Sequence, residues 1–235
     1  MARPRVLLTG FGPFPGFTEN PSAWLAETLA ERATSLGLDC ELHAAVLPTE
    51  WQAVAAFAPR LYETLQPRVM IHFGLSERAR SLRIERSAYN RALPCADALG
   101  KLPASPVILA ERPDRLDTPL PAAALTAGLR ARGHTAETSR SAGRYLCNFL
   151  YYLSLEWAAR QESPPLALFM HVPPGPAQGG SFSEAALLRG AQETLRLVLA
   201  FASQRDAATP IADRTDPGFA LSEARLNAKE ADRAP

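Results

Sequence analysis

Arg68-Val69-Met70-Ile71-His72-Phe73-Gly74 is a short apolar run stopped by a glycine. That pattern predicts a strand buried on both faces. Just upstream, Glu50–Leu65 carries Trp51, Val54, Ala55, Phe57, Leu61 and Leu65 along one broad face, as a helix packed on a sheet does. Further upstream lie a strand candidate, Glu41–Leu47, and a helix that opens at Asn20-Pro21-Ser22 and repeats Trp24, Leu25, Leu29 and Ala30 up to Gly37. The Asn-Pro-Ser triplet supplies a capping side chain and a proline suited to a first helical turn. The first strand is Arg5–Thr9, ended by Gly10. The order is β-α-β-α-β.

The rest continues the alternation. A strand is expected over Leu82–Tyr89, a short helix over Pro121–Arg132 and a strand over Thr135–Ser139. An apolar helix follows over Arg144–Arg160, then a buried strand, Leu166–Val172, and an amphipathic helix over Phe182–Phe201. Pro94–Pro121 is punctuated by proline and has no clear period. Alternating strands and helices imply an α/β chain with a mostly parallel central sheet covered on both faces. Residues 1–204 read as one domain. Residues 205–235 change to mixed charge with sparse apolar positions and read as a polar tail, disordered or laid on the surface.

Composition narrows the function classes. Of 235 residues, 47% are hydrophobic, which suits a packed core, and 25 basic residues against 24 acidic leave a net charge of +1. So balanced a chain has no global field to hold nucleic acid or an anionic membrane. Its apolar runs are broken too often for a membrane-spanning helix, and its first residues do not read as a secretory signal. The expected setting is the cytoplasm. Cys40, Cys95 and Cys147 show no paired spacing, and His43, His72, His134 and His171 are scattered, so neither a disulfide scaffold nor a metal centre is expected.

In open α/β sheets, ligands sit beyond the carboxyl ends of the strands. Three residues near such ends bear chemistry. Cys147 falls in the opening turns of a helix entered through Ser141-Ala142-Gly143, where the helix dipole favours thiolate. His171 closes an apolar strand before Val172-Pro173-Pro174, a rigid exit that would hold an imidazole at the sheet edge. Glu85 follows Ile84 in the Leu82–Tyr89 segment. Singly, each has a bland reading: a small buried thiol, a satisfied core histidine, a surface glutamate. Together they can fill the roles of nucleophile, proton carrier and imidazole-orienting acid that a cysteine peptidase requires.

Four segments give the chain a resemblance to pyroglutamyl peptidase I, or pyrrolidone-carboxylate peptidase, the cysteine peptidases that remove an N-terminal pyroglutamyl residue. Thr9-Gly10-Phe11-Gly12-Pro13-Phe14 with Asn20-Pro21-Ser22 is similar to the family's TGFxPFxG...NPS segment, and Glu85-Arg86-Ser87-Ala88-Tyr89-Asn90 to its ERxAxN motif. Ser139–Asn148 is similar to the nucleophile motif SxSAGxYxCN, and Phe169-Met170-His171-Val172-Pro173 to FxHxP. The resemblance implies a three-layer α/β/α sandwich with a mixed, mostly parallel sheet. It also implies a Cys147–His171–Glu85 triad, no cofactor, a peptide or small amide as substrate, and a homo-oligomer of the kind that members of the family often form. Phe11, Phe14 and Tyr145 match positions that sandwich the lactam ring in the family. Asn20, Gly74 and Leu75 are carried over as substrate-binding positions.

Two departures stand out. Leu75 replaces the glutamine that many members have after the glycine of the third strand. Cys95 stands where the family usually places an arginine near the oxyanion, with Arg91 four residues earlier as the substitute donor. Losing an oxyanion donor costs about 3 kcal/mol of barrier, a hundredfold or more in rate. The departures therefore leave open a member that binds without turnover, or that hydrolyses another N-blocked peptide or small cyclic amide.

Overall fold

In the computed structural model, which describes residues 3–208, the chain runs β1 (Arg5–Phe11), α1 (Pro21–Glu31), β2 (Glu41–Leu47), α2 (Trp51–Leu65), β3 (Val69–Leu75), β4 (Leu82–Glu85), β5 (Ser87–Tyr89), β6 (Arg115–Asp117), α3 (Ala122–Ala131), β7 (Ala136–Ser139), α4 (Leu146–Ala159), β8 (Leu166–Val172) and α5 (Glu184–Ala208). Six strands make one sheet in the order β2-β1-β3-β8-β4-β7. All neighbours in it are parallel except β4 and β8, which run antiparallel. The expected mixed, mostly parallel sheet is the one found. Up to Ala202 the described residues form one compact unit, and the end of α5 belongs to a second. The helix thus runs past residue 204 to Ala208, and the rest of the expected tail lies outside the described residues. No helix among the described residues is long and apolar enough to cross a membrane.

The pleat sorts the strands onto two cores. Leu166, Leu168, Met170 and Val172 of β8 join a cluster with Leu25 and Leu29 of α1, Leu129 of α3 and Leu195 of α5. Ala167 and Phe169 join Val54 and Tyr62 of α2 and Leu150 and Tyr151 of α4. Because side chains alternate along a strand, His171 falls on the α2/α4 side, and so do Gly74 of β3 and Arg83 and Glu85 of β4.

Two expectations need correction. Leu82–Tyr89 is not one strand: the Arg86 N–H donates to Ser139 O (2.8 Å), and its carbonyl accepts from the Thr118 N–H (2.9 Å). The chain changes partners there, so β4 stays in the main sheet while β5 pairs with β6 in a separate ribbon. β1 and β3 also run through Gly10 and Gly74 instead of stopping at them. Each glycine admits a close approach. A Cβ on Gly10 would collide with the Ser22 carbonyl, and one on Gly74 would lie 2.9 Å from Cys147 Sγ and 2.7 Å from Phe169 Cζ.

Candidate active site

α4 begins with Tyr145 as its N-cap, and no side chain caps the helix. The first helical bond runs from Phe149 N–H to Tyr145 O (3.0 Å), so the N–H groups of Leu146, Cys147 and Asn148 have no acceptor among the described residues. Cys147 is the second residue of the helix, and its sulfur lies over Gly74 of β3. Gly74 is in register with His171 of β8, which brings the imidazole beside that sulfur. His171 is 8% exposed and Glu85 fully buried, and His171 Nδ1 donates to Glu85 Oε1 at 2.8 Å. Glu85 pairs with Phe169 in the antiparallel register, so its carboxylate reaches His171 diagonally across the β4–β8 ladder.

Electrostatics favour a charged imidazole. Burial opposes charge on the imidazole, but the negative charge of Cys147, its hydrogen bond, and the bond and charge of Glu85 outweigh that cost and raise His171 to about 9. With Nδ1 held by Glu85, Nε2 is the nitrogen left to exchange a proton with the thiol. A thiol, an imidazole and a carboxylate so placed can serve as nucleophile, proton carrier and orienting acid.

The other sequence candidates fall as follows. Phe11 is buried in the α2/α4-side cluster, against which Tyr145 and Cys147 pack. The Tyr145 ring stands edge-on to Trp51 at 5.1 Å, and its hydroxyl donates to Ala96 O (3.2 Å). Phe14 stacks on Phe17 at 4.8 Å, closing the loop after β1. Asn20 is buried and uses its amide inside the protein: Oδ1 accepts from Ser22 N–H and Oγ, and Nδ2 donates to Gly12 O. It caps α1 and ties down the Phe11–Phe17 loop. The pleat carries Leu75 to the face opposite Cys147, where it is half-buried. Arg91 is exposed and its guanidinium makes no hydrogen bond or ion pair among the described residues; its carbonyl accepts from Asn148 Nδ2.

Two residues without an expected role brace the segments around Cys147. Asn148, next to Cys147, accepts from the Tyr89 N–H (2.8 Å) and donates to the carbonyls of Tyr89 (2.8 Å) and Arg91 (3.0 Å). It locks the segment after Glu85 to the start of α4. An asparagine beside Cys147 in a mostly apolar helix is the signal the sequence offers. Asp97, on the proline-rich stretch, accepts from the N–H groups of Trp51, Leu99 and Lys101, which outweigh its burial and hold its carboxyl below the usual range. It caps α2 from 46 positions away, and no local pattern announces that. Among the described residues no cluster of His, Cys, Asp and Glu could hold a metal ion.

Comparison with known proteins gives a consistent result. Residues 4–185 match the family model described as pyroglutamyl peptidase. The chain is 33% identical over 178 residues to pyroglutamyl-peptidase 1 of Homo sapiens, covering 74% of this chain and 82% of that protein. It is 34% identical over 175 residues to the pyrrolidone-carboxylate peptidase of Pyrococcus furiosus, covering 74% and 83%. Among solved structures, the pyrrolidone carboxyl peptidase of Thermococcus litoralis superposes with a TM-score of 0.79 at 27% identity, over 86% of this chain and 96% of that one.

Proposed function

The chain belongs to the pyroglutamyl peptidase family of cysteine peptidases, and from that premise we propose that it removes N-terminal pyroglutamate through Cys147, His171 and Glu85. The observation that carries the residue assignment is the 2.8 Å bond from His171 to the Glu85 carboxylate beside a Cys147 sulfur that lies over Gly74, in register with His171, at the amino end of a helix. The sulfur attacks the pyroglutamyl carbonyl carbon. The unused N–H groups at the start of α4 face the oxygen as it becomes negative, a contact that strengthens only as the barrier is climbed. His171 passes its Nε2 proton to the amine nitrogen as the C–N bond breaks, which leaves a thioester. Water then adds while His171 takes its proton, and pyroglutamate departs with the thiol restored.

The substrate is a peptide whose first residue is a neutral lactam. Tyr145 and Phe14, both partly exposed, offer aromatic surface to a flat, uncharged ring, with Phe11 packed in the core beneath. A free ammonium in the same place would lose its hydration without a partner. Three free thiols suit a reducing compartment, and we assign the activity to the cytoplasm.

Replacing Cys147 by alanine and assaying pyroglutamyl, prolyl and acetyl-alanyl amides side by side tests this reading. The wild-type protein is expected to cleave the pyroglutamyl amide, and Cys147→Ala to lose at least a thousandfold in kcat, the order typical of a removed nucleophile. Undiminished turnover in the variant would refute the nucleophile assignment. Preference for another blocked amide would move the specificity but keep the triad.

A further inference from the structure

Glu85 is held unevenly. One carboxylate oxygen is bonded to His171, while Oε2 is buried and has no partner among the described residues. No second bond therefore fixes the carboxylate plane, and its direction depends on the backbone that carries it. Glu85 is the last residue of β4, immediately before the chain leaves the main sheet at Arg86. Its peptide carbonyl accepts a hydrogen bond from the Tyr151 hydroxyl at 3.0 Å.

Tyr151 lies one helical turn after Cys147 on α4, and residues four apart share a helix face. Its side chain is fully buried, with the ring 5.8 Å from that of Phe169, the residue opposite Glu85 in the ladder. Burial pushes its hydroxyl far above the usual tyrosine range, so it stays protonated and a donor throughout the working pH range. A single rigid helix thus carries the nucleophile at one turn and the anchor of the acid at the next. We infer that Tyr151 is a positioning residue for the proposed peptidase: by holding the Glu85 carbonyl, it fixes the distance and angle at which the carboxylate meets His171.

The inference rests on the triad reading, and its predicted signature is specific. The groups around the imidazole are Cys147 on α4, Glu85 and Arg83 on β4, with Arg83 paired to Glu137 of β7, and His72 on β3 one row below. Of these, Tyr151 acts on Glu85 alone. Loosening Glu85 weakens one of the contacts that hold His171 protonated, so the alkaline limb of the pH–rate profile should move toward neutrality.

Tyr151→Phe keeps the ring and removes the hydroxyl. Expected are a kcat about tenfold lower, a KM within about twofold, and an alkaline limb lower by about half a pH unit or more. In a Glu85→Gln background the same change should add less than about twofold, because two residues acting through one contact do not add. Tyr152→Phe is the control. Its hydroxyl donates to Pro113 O at 2.6 Å, away from Glu85, so it should leave the limb in place. The His171 titration midpoint, followed by NMR on the intact protein, should fall in Tyr151→Phe alone. That reading needs no turnover, so it still judges Tyr151 if the wild-type protein cleaves no pyroglutamyl amide. An unmoved midpoint, additive losses, or a Tyr151→Phe chain that does not fold, which would make the hydroxyl structural, each overturns the inference.

Discussion

His72 is the second buried imidazole on the α2/α4 side, and it should make the protein acid-labile. It is fully buried in β3, shares a 2.8 Å hydrogen bond with the Thr9 hydroxyl through Nδ1, and leaves Nε2 without a partner among the described residues. Burial, with no opposing anion, lowers its pKa from 6.5 to about 3. The folded state therefore holds His72 neutral, while the unfolded chain binds a proton below pH 6.5. A depressed histidine contributes stability that is complete above the unfolded value and is lost as pH falls from there toward the folded one. Between pH 7 and 5 that loss is about 2 kcal/mol. His171, raised to about 9, behaves oppositely: its contribution is complete below 6.5 and fades as pH rises toward 9. Comparing wild type with His72→Asn, which keeps a partner for Thr9, cancels His171 and all shared carboxylates. Urea unfolding at pH 7, 6 and 5 should show the stability gap between the two proteins changing by about 2 kcal/mol in favour of the variant at pH 5. Parallel pH curves for the two would refute the claim that this imidazole is forced neutral.

Gly74→Ala places a Cβ 2.9 Å from the Cys147 sulfur and 2.7 Å from Phe169 Cζ, so the sulfur and the ring must shift from where they stand. The expected result, read by kcat against the urea midpoint, is a loss of about a hundredfold or more in turnover, out of proportion to a stability loss of about 1–3 kcal/mol. Asp97→Ala removes the acceptor of three backbone N–H groups and the cap of α2. It should cost about 1–3 kcal/mol in unfolding experiments and, by freeing the stretch that receives the Tyr145 hydroxyl at Ala96, raise KM more than it lowers kcat.

The layers and most strands were readable because burial imprints itself locally. Leu166–Val172 is apolar throughout since both faces of a central strand are covered. Its alternation then puts His171 on the face of Ala167 and Phe169. The split of Leu82–Tyr89 left no such mark: Ser87 and Ala88 are as buried as Leu82 and Ile84, and the change of partner at Arg86 is decided by Thr118 and Ser139, both distant in sequence. The same limit applies at the site. Asn20-Pro21-Ser22 carries two meanings at once, a family motif and a helix start, and only coordinates show the asparagine amide bonded to Gly12 and Ser22. Nor does any period or spacing indicate that Tyr151, inside an apolar helix, reaches back to the Glu85 carbonyl.

The missing arginine looks different once the helix is in view. Cys95 is exposed, and so is Arg91, whose guanidinium has no bonded partner among the described residues. An oxyanion that depended on either side chain would be poorly served. Backbone donors at the start of α4 need no particular residue, and they cost no reorganisation because the helix already points them. What they require is that the helix not shift relative to the strands bearing His171 and Glu85. Asn148, with three hydrogen bonds to Tyr89 and Arg91, and Tyr151, with one to Glu85, supply that restraint from within α4 itself. On this account the position of Arg91 is set by its carbonyl, which Asn148 grips, and Arg91→Ala should leave kcat within about twofold of wild type, whereas the loss of an oxyanion donor would lower it a hundredfold or more.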